Sequence, residues 1–137
     1  MLQNVNRLRS KSKKLEVEIP HIEKDIYLEQ ANLLLFQLSN GFEKLSEFDD
    51  RIKDIEFEES NNGQQLELRL NIEHLGQYRW VTEAKDRVIY FNSPFSGIYK
   101  YYYDQELEQW KNTKDLHILQ DTLIREITHH CKGYLDL

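Results

Sequence analysis

From Tyr27 onward, apolar side chains return every third or fourth residue. Tyr27, Ala31, Leu34, Leu35, Leu38, Phe42 and Leu45 make one stripe, the mark of a helix with a single buried side. Pro20 stands just ahead, and proline is accepted in a first turn, so the pattern predicts a helix starting near His21. Gly41 weakens that helix without ending it. Past Asp50 the period changes to two. Ile55 and Phe57 alternate with Asp54, Glu56 and Glu58, which predicts a half-buried strand. Asn61-Asn62-Gly63 accepts the positive φ angles of a hairpin turn. Leu66, Leu68 and Leu70 then alternate with Glu67 and Arg69 on the returning strand. Further strands are expected over 77–82, 87–92 and 98–103, with a stub around Trp110 and breakers at Gly76, Asp86 and Ser96-Gly97. A last helix is expected with Asp115 as its N-cap and Leu116, Leu119, Leu123, Ile127 and Cys131 as its apolar side, closed by Lys132 and Gly133.

Helix, five to six antiparallel strands, helix: this order packs most simply as an α+β sandwich of two layers, with both helices on one sheet face. The stretch NSPFSGIYKYYY, residues 92–103, sharpens the picture. Pro94 cannot donate to a strand ladder, so 93–97 is a turn between two strands. Tyr99, Tyr101 and Tyr103 then share one face and Lys100 and Tyr102 the other. With helices on one face only, one tyrosine set keeps some exposure, either as cross-strand packing or as a docking surface.

At 137 residues the chain suits one domain. It has no apolar run near the roughly 18 residues of a membrane span. Its net charge of −6 argues against nucleic acid, which demands a basic face. Cys131 is the only cysteine, so disulfide frameworks and thiolate clusters are excluded, and its place on an apolar helix side reads as an inert thiol. Residues 1–15 carry five basic residues and no acid, leaving 13 basic against 24 acidic residues in the remainder. Residues 1–19 are therefore set apart as a basic leader, a solvated tail or an organelle transit segment, and 20–137 as the domain.

The acids are concentrated. Eight fall between residues 43 and 59: Glu43, Glu47, Asp49, Asp50, Asp54, Glu56, Glu58 and Glu59. At about 100° per residue, Asp25, Glu29, Glu43 and Glu47 lie within roughly 40° of one another, opposite the apolar stripe. Asp54, Glu56 and Glu58 share one strand face and are expected to extend the same edge. Carboxylates are hard ligands for calcium, magnesium or iron, and also a handle for a basic partner. A plain solvated helix face gives the same pattern. His21, four residues before Asp25, is a possible nitrogen ligand. No phosphate loop, nucleophile elbow or paired-histidine motif is present.

Residues 89–103, IYFNSPFSGIYKYYY, resemble the strand–turn–strand signature of the frataxin family through Ser93, Pro94, Ser96 and Gly97. Gly76-Gln77-Tyr78, Glu108-Gln109-Trp110 and the pattern at 119–127 are similar to the family's other strand and helix positions, so the likeness spans roughly 23–133. It implies the same α+β sandwich, with ferrous or ferric iron weakly bound along an acidic ridge: Asp25, Glu29, Glu43, Glu47, Asp49, Asp50, Asp54, Glu56, Glu58 and Glu59. It implies a role in iron–sulfur cluster assembly, through binding a cysteine desulfurase and its scaffold protein at a sheet face holding Tyr90, Asn92, Lys100 and Tyr102. Ferroxidase or iron-storage activity and a metal-free interaction module are the alternatives. A monomer that oligomerises with iron is expected, in the mitochondrial matrix or a related organelle, or in a bacterial cytoplasm. The chain departs from the family pattern at Val81, Tyr90, Ile98 and Lys100, and ridge positions are taken by Leu28, Asn32, Leu33, Asn40 and Lys44.

Overall fold

The computed structural model describes residues 16–137, so the basic stretch 1–15 lies outside the described residues. Helix α1 runs Lys24–Leu45, followed by strands β1 (Ile52–Ser60), β2 (Gln65–Ile72), β3 (Gly76–Glu83), β4 (Val88–Ser93), β5 (Gly97–Asp104) and β6 (Gln109–Asn112), then helix α2, Leu119–His130. The six strands form one antiparallel meander in sequence order. The two-layer sandwich read from periodicity is the observed architecture.

Inward residues explain it. Leu68, Leu70, Tyr78, Trp80, Ile89, Phe91 and Tyr101 line the inner sheet face and meet Tyr27, Leu35, Leu38 and Phe42 of α1 and Leu123 and Ile127 of α2. Trp80 stacks on Phe91 with ring centroids 4.8 Å apart and meets Phe42 at 5.7 Å. Asn61, Asn62 and Gly63 all take positive φ, as a tight β1–β2 hairpin requires. Gly41 has a use that propensity alone hides. A Cβ there would lie 2.9 Å from Leu137 Cδ2 and 3.1 Å from the Asp136 carbonyl oxygen. The bare helix surface therefore admits the C-terminal tail, and Leu135 is fully buried.

The start of α2 differs from expectation. Asp115 does not cap it. Its carboxylate instead accepts the His117 N–H at 3.1 Å and the His117 Nδ1–H at 2.5 Å, closing a turn of its own. The other imidazole nitrogen then accepts the Tyr101 hydroxyl proton at 2.6 Å. Lys111 and Ile118 form a bridge that prolongs the pairing past β6, so the helix begins only at Leu119. Leu116, with φ 64°, projects outward from that turn.

Residues 16–19, grouped with the leader on composition, run beside the sheet. The Val17 N–H donates to the Thr113 carbonyl at 2.7 Å.

Candidate functional site

Asp25, Glu29, Glu43, Glu47, Asp50 and Glu59 are exposed and form no ion pair among the described residues. Helical rise separates Asp25 from Glu43 by about 27 Å, and the exposed side chains of Leu33, Phe36 and Asn40 lie between them. The helix edge is thus two carboxylate pairs rather than a continuous row. His21 turns to Glu23, 3.2 Å away.

Asp49 corrects the expected ridge. It is 2% exposed. Its carboxylate accepts from Arg51 Nε at 2.9 Å, Arg51 Nη2 at 2.7 Å and the Lys132 N–H at 2.9 Å. Arg51 Nη2 also donates to the His130 carbonyl at 2.7 Å. The Arg51 guanidinium holds the Asp49 carboxyl well below the usual carboxylate range. Asp49 therefore clamps the α1–β1 turn to the end of α2, with its lone pairs already spent on protein donors.

The β1 carboxylates are also committed. A bulge between Lys53 and Glu56 places Asp54 at φ 56° and leaves Ile52 and Ile55, three apart, both packed inward. Asp54 accepts from Asn71 Nδ2 at 3.2 Å. Glu56 and Glu58 leave on the open sheet face, away from α1, and both reach Arg69 Nη2, at 2.5 and 2.6 Å. Glu67 accepts from Arg69 Nη1 at 2.6 Å and also pairs with Arg79. Hydrogen bonding to Arg69 pulls the Glu58 carboxyl down. The sheet thus separates the strand acids from the helix acids, and one guanidinium ties three of them together. Among the described residues no three His, Cys, Asp or Glu side chains gather as a ready metal cage. The available arrangement is carboxylate pairs four apart at the helix ends, enough to touch one hard cation with water completing its shell.

On the open face, strand register sets Val81, Tyr90 and Lys100 side by side, with Asn92 and Ile98 paired in the next row. Tyr90, Asn92 and Ile98 are exposed, and Ile98 is 73% exposed. Tyr102 is a second correction, since it is 7% exposed. It pairs with Val88, itself buried, beyond the Lys100 row, where residues 16–22 are fastened. That segment is held by Thr113 at one end and by Arg87, whose Nε donates to the Ile22 carbonyl at 3.3 Å, at the other. Tyr99, Tyr101 and Tyr103 pack on the helix side, so most of the tyrosine cluster is core.

The turn at 93–97 is a fastener. Ser93 Oγ accepts the N–H groups of Phe95 and Ser96 at 3.0 and 3.1 Å and donates to Glu126 Oε2 at 3.0 Å. Ser96 Oγ and the Tyr78 hydroxyl donate to the same carboxylate at 2.9 and 2.8 Å. A Cβ on Gly76, at φ 126°, would meet Pro94 Cβ at 2.8 Å. Gly76-Gln77-Tyr78, Ser93–Gly97 and α2 therefore converge on one node. Burial and the neighbouring Glu126 both push the Tyr78 phenol up. Sequence reading passed over Glu126 and Arg69. The only signal for Arg69 was parity, a lone cation on the strand face opposite Glu56 and Glu58.

A model of the frataxin-like domain matches residues 20–133. Among solved structures the chain is similar to trimeric frataxin from the yeast Saccharomyces cerevisiae in complex with ferrous iron. That match has 25% identity and a TM-score of 0.59 and covers 85% of this chain and 92% of that one. It is similar in fold to trimeric yeast frataxin with a full-length N-terminus, at 24% identity and TM-score 0.51 over 89% of each chain. No curated protein sequence matches it. The likeness carried by Ser93, Pro94, Ser96 and Gly97 thus extends across nearly the whole domain, and the chain belongs to the frataxin-like family.

Proposed function

We propose that this protein binds iron weakly as cargo and modulates iron–sulfur cluster assembly by docking on a cysteine desulfurase–scaffold complex. Family membership carries the reading, and the carboxylates at the ends of α1, which form no ion pair among the described residues, support its iron half. Glu43 and Glu47 stand four apart where the helix ends, with Asp50 in the turn that follows; Asp25 and Glu29 form a second, separate pair. Pairs of hard oxygen donors hold ferrous or ferric ions loosely and release them readily, as a donor to another protein must. Glu56, Glu58 and Asp49 drop out of the proposed set because protein donors already occupy them.

Ferrous titration followed by NMR line broadening tests this. Broadening centred on residues 43–50, and lost in the combined Glu43→Gln, Glu47→Gln and Asp50→Asn variant, is the expected result; unbroadened spectra at millimolar iron overturn it. A pull-down with the desulfurase–scaffold complex tests the docking half. The metal-free interaction module is kept as a second reading, because the described carboxylates do not gather as a cage. Ferrous oxidation no faster than in buffer would exclude the ferroxidase alternative. The matrix setting rests on the acid-free basic stretch 1–15, and import of a fluorescent fusion tests it. Sedimentation with and without iron tests the expected monomer that assembles on loading.

A further inference from the structure

The proposed docking face already has an occupant at one end. Glu16 Oε2 lies 3.1 Å from Lys100 Nζ, and Glu16 Oε1 accepts the Thr113 hydroxyl proton at 3.2 Å. The next residue, Val17, donates its N–H to Thr113. Lys100 and Thr113 are neighbours on β5 and just past β6, since the Thr113 N–H donates to the Lys100 carbonyl at 3.0 Å. A groove of about 300 Å³ opens here between Glu16, Tyr90, Ile98, Lys100 and Lys114. The Lys100 ammonium and the nearby Lys114 hold the Glu16 carboxyl below its ordinary range. So a carboxylate carried on the segment leading into α1 sits on the one cation of the Tyr90–Lys100 row.

We infer that the Glu16 segment is an internal competitor for this end of the sheet, and that a partner docks by placing a carboxylate of its own on Lys100 and Thr113, with an apolar side chain beside Ile98. The inference rests on the docking half of the proposed function. Occupied contacts reduce apparent affinity by the fraction of molecules in the open form. Opening an exposed pair of this kind is therefore expected to tighten binding about two- to fivefold.

The experiment uses the full chain and the desulfurase–scaffold complex. Glu16→Gln is expected to speed amide exchange at Val17 and to tighten binding. Val17→Pro, which keeps every charge and removes only the N–H donated to the Thr113 carbonyl, should act in the same direction. Glu16→Gln should lose its effect when Lys100 is also changed to Gln. Unchanged exchange at Val17, or equal binding by wild type and both single variants, overturns the competitor. Failure of wild type and variants alike to bind the complex removes the docking reading and the competitor with it.

Discussion

Two sets of carboxylates, alike in sequence, have opposite fates in the fold. At the end of α1, Glu43, Glu47 and Asp50 are exposed and have no cation partner among the described residues. On the open face of β1–β2, Glu56, Glu58 and Glu67 share the guanidinium of Arg69, and Asp49 is closed around Arg51. The second set spends its charge within the molecule. Only the first is left to act on something else, so acid count alone says little about metal handling. What separates the sets is whether the backbone delivers an arginine.

The sharpest break of this comparison sets Asp49 against its neighbour Asp50. Asp49→Asn leaves Arg51 without its partner in a largely buried contact and is expected to cost about 3 kcal/mol, lowering the melting temperature by roughly 10 °C. Asp50→Asn should change stability by less than about 0.5 kcal/mol. Thermal unfolding of the pair checks both. Acid adds a sign. The folded carboxyl of Asp49 titrates below its unfolded value of about 3.9, so its contribution is complete above that pH and disappears as pH falls toward the folded value. Wild type should therefore lose more stability than Asp49→Asn between about pH 5 and pH 2. Parallel acid limbs would show that the clamp carries no net energy.

Arg69→Gln tests the other half of the comparison by releasing Glu56 and Glu58 from their internal cation, while Glu67 keeps Arg79. Line broadening by ferrous iron should then spread to residues 56 and 58, while wild type broadens only at the helix end. Broadening at those residues in wild type would mean that Arg69 does not withhold them.

These differences also mark how far the sequence could be read. Period-two alternation located β1 and β2, breakers at Gly76, Asp86 and Ser96-Gly97 divided the later strands, and the three- and four-residue stripe located α1, because burial of a face writes directly into the order of residues. Ser93, Pro94, Ser96 and Gly97 located the turn. What escaped depended on register and on distant contacts. The bulge at Asp54 decides how β1 is offset against β2, and so which glutamates meet Arg69; no local pattern shows an added residue. Asp49 and Asp50 are adjacent acids in a turn, and only the return of the chain at the end of α2, 83 residues later at Lys132, selects Asp49 for the interior. Asp115 looked like a helix cap because its side chain does bind nearby N–H groups, only those of its own turn. Tyr102 counted as exposed because nothing local reveals residues 16–22 lying along that end of the sheet.

The smallest effect separates the two sets most directly, because its sign differs. Glu43 and Glu47 lie within a turn of the end of α1. There the unpaired carbonyls leave partial negative charge, so anionic side chains are repelled. Neutralising both in Glu43→Gln, Glu47→Gln should raise stability by about 0.5 kcal/mol at low salt. Asp25→Asn, in the first turn where the dipole favours an acid, should lower it by a similar amount. Both changes should shrink in about 1 M salt, where screening shortens to a few ångströms. Chemical denaturation at two salt concentrations reads all of this. A gain at the C-terminal end means that Glu43 and Glu47 are kept at a cost to the fold, as expected of side chains meant for a ligand. A loss there instead would make them structural, like Asp49, and would leave the helix edge without its separate role.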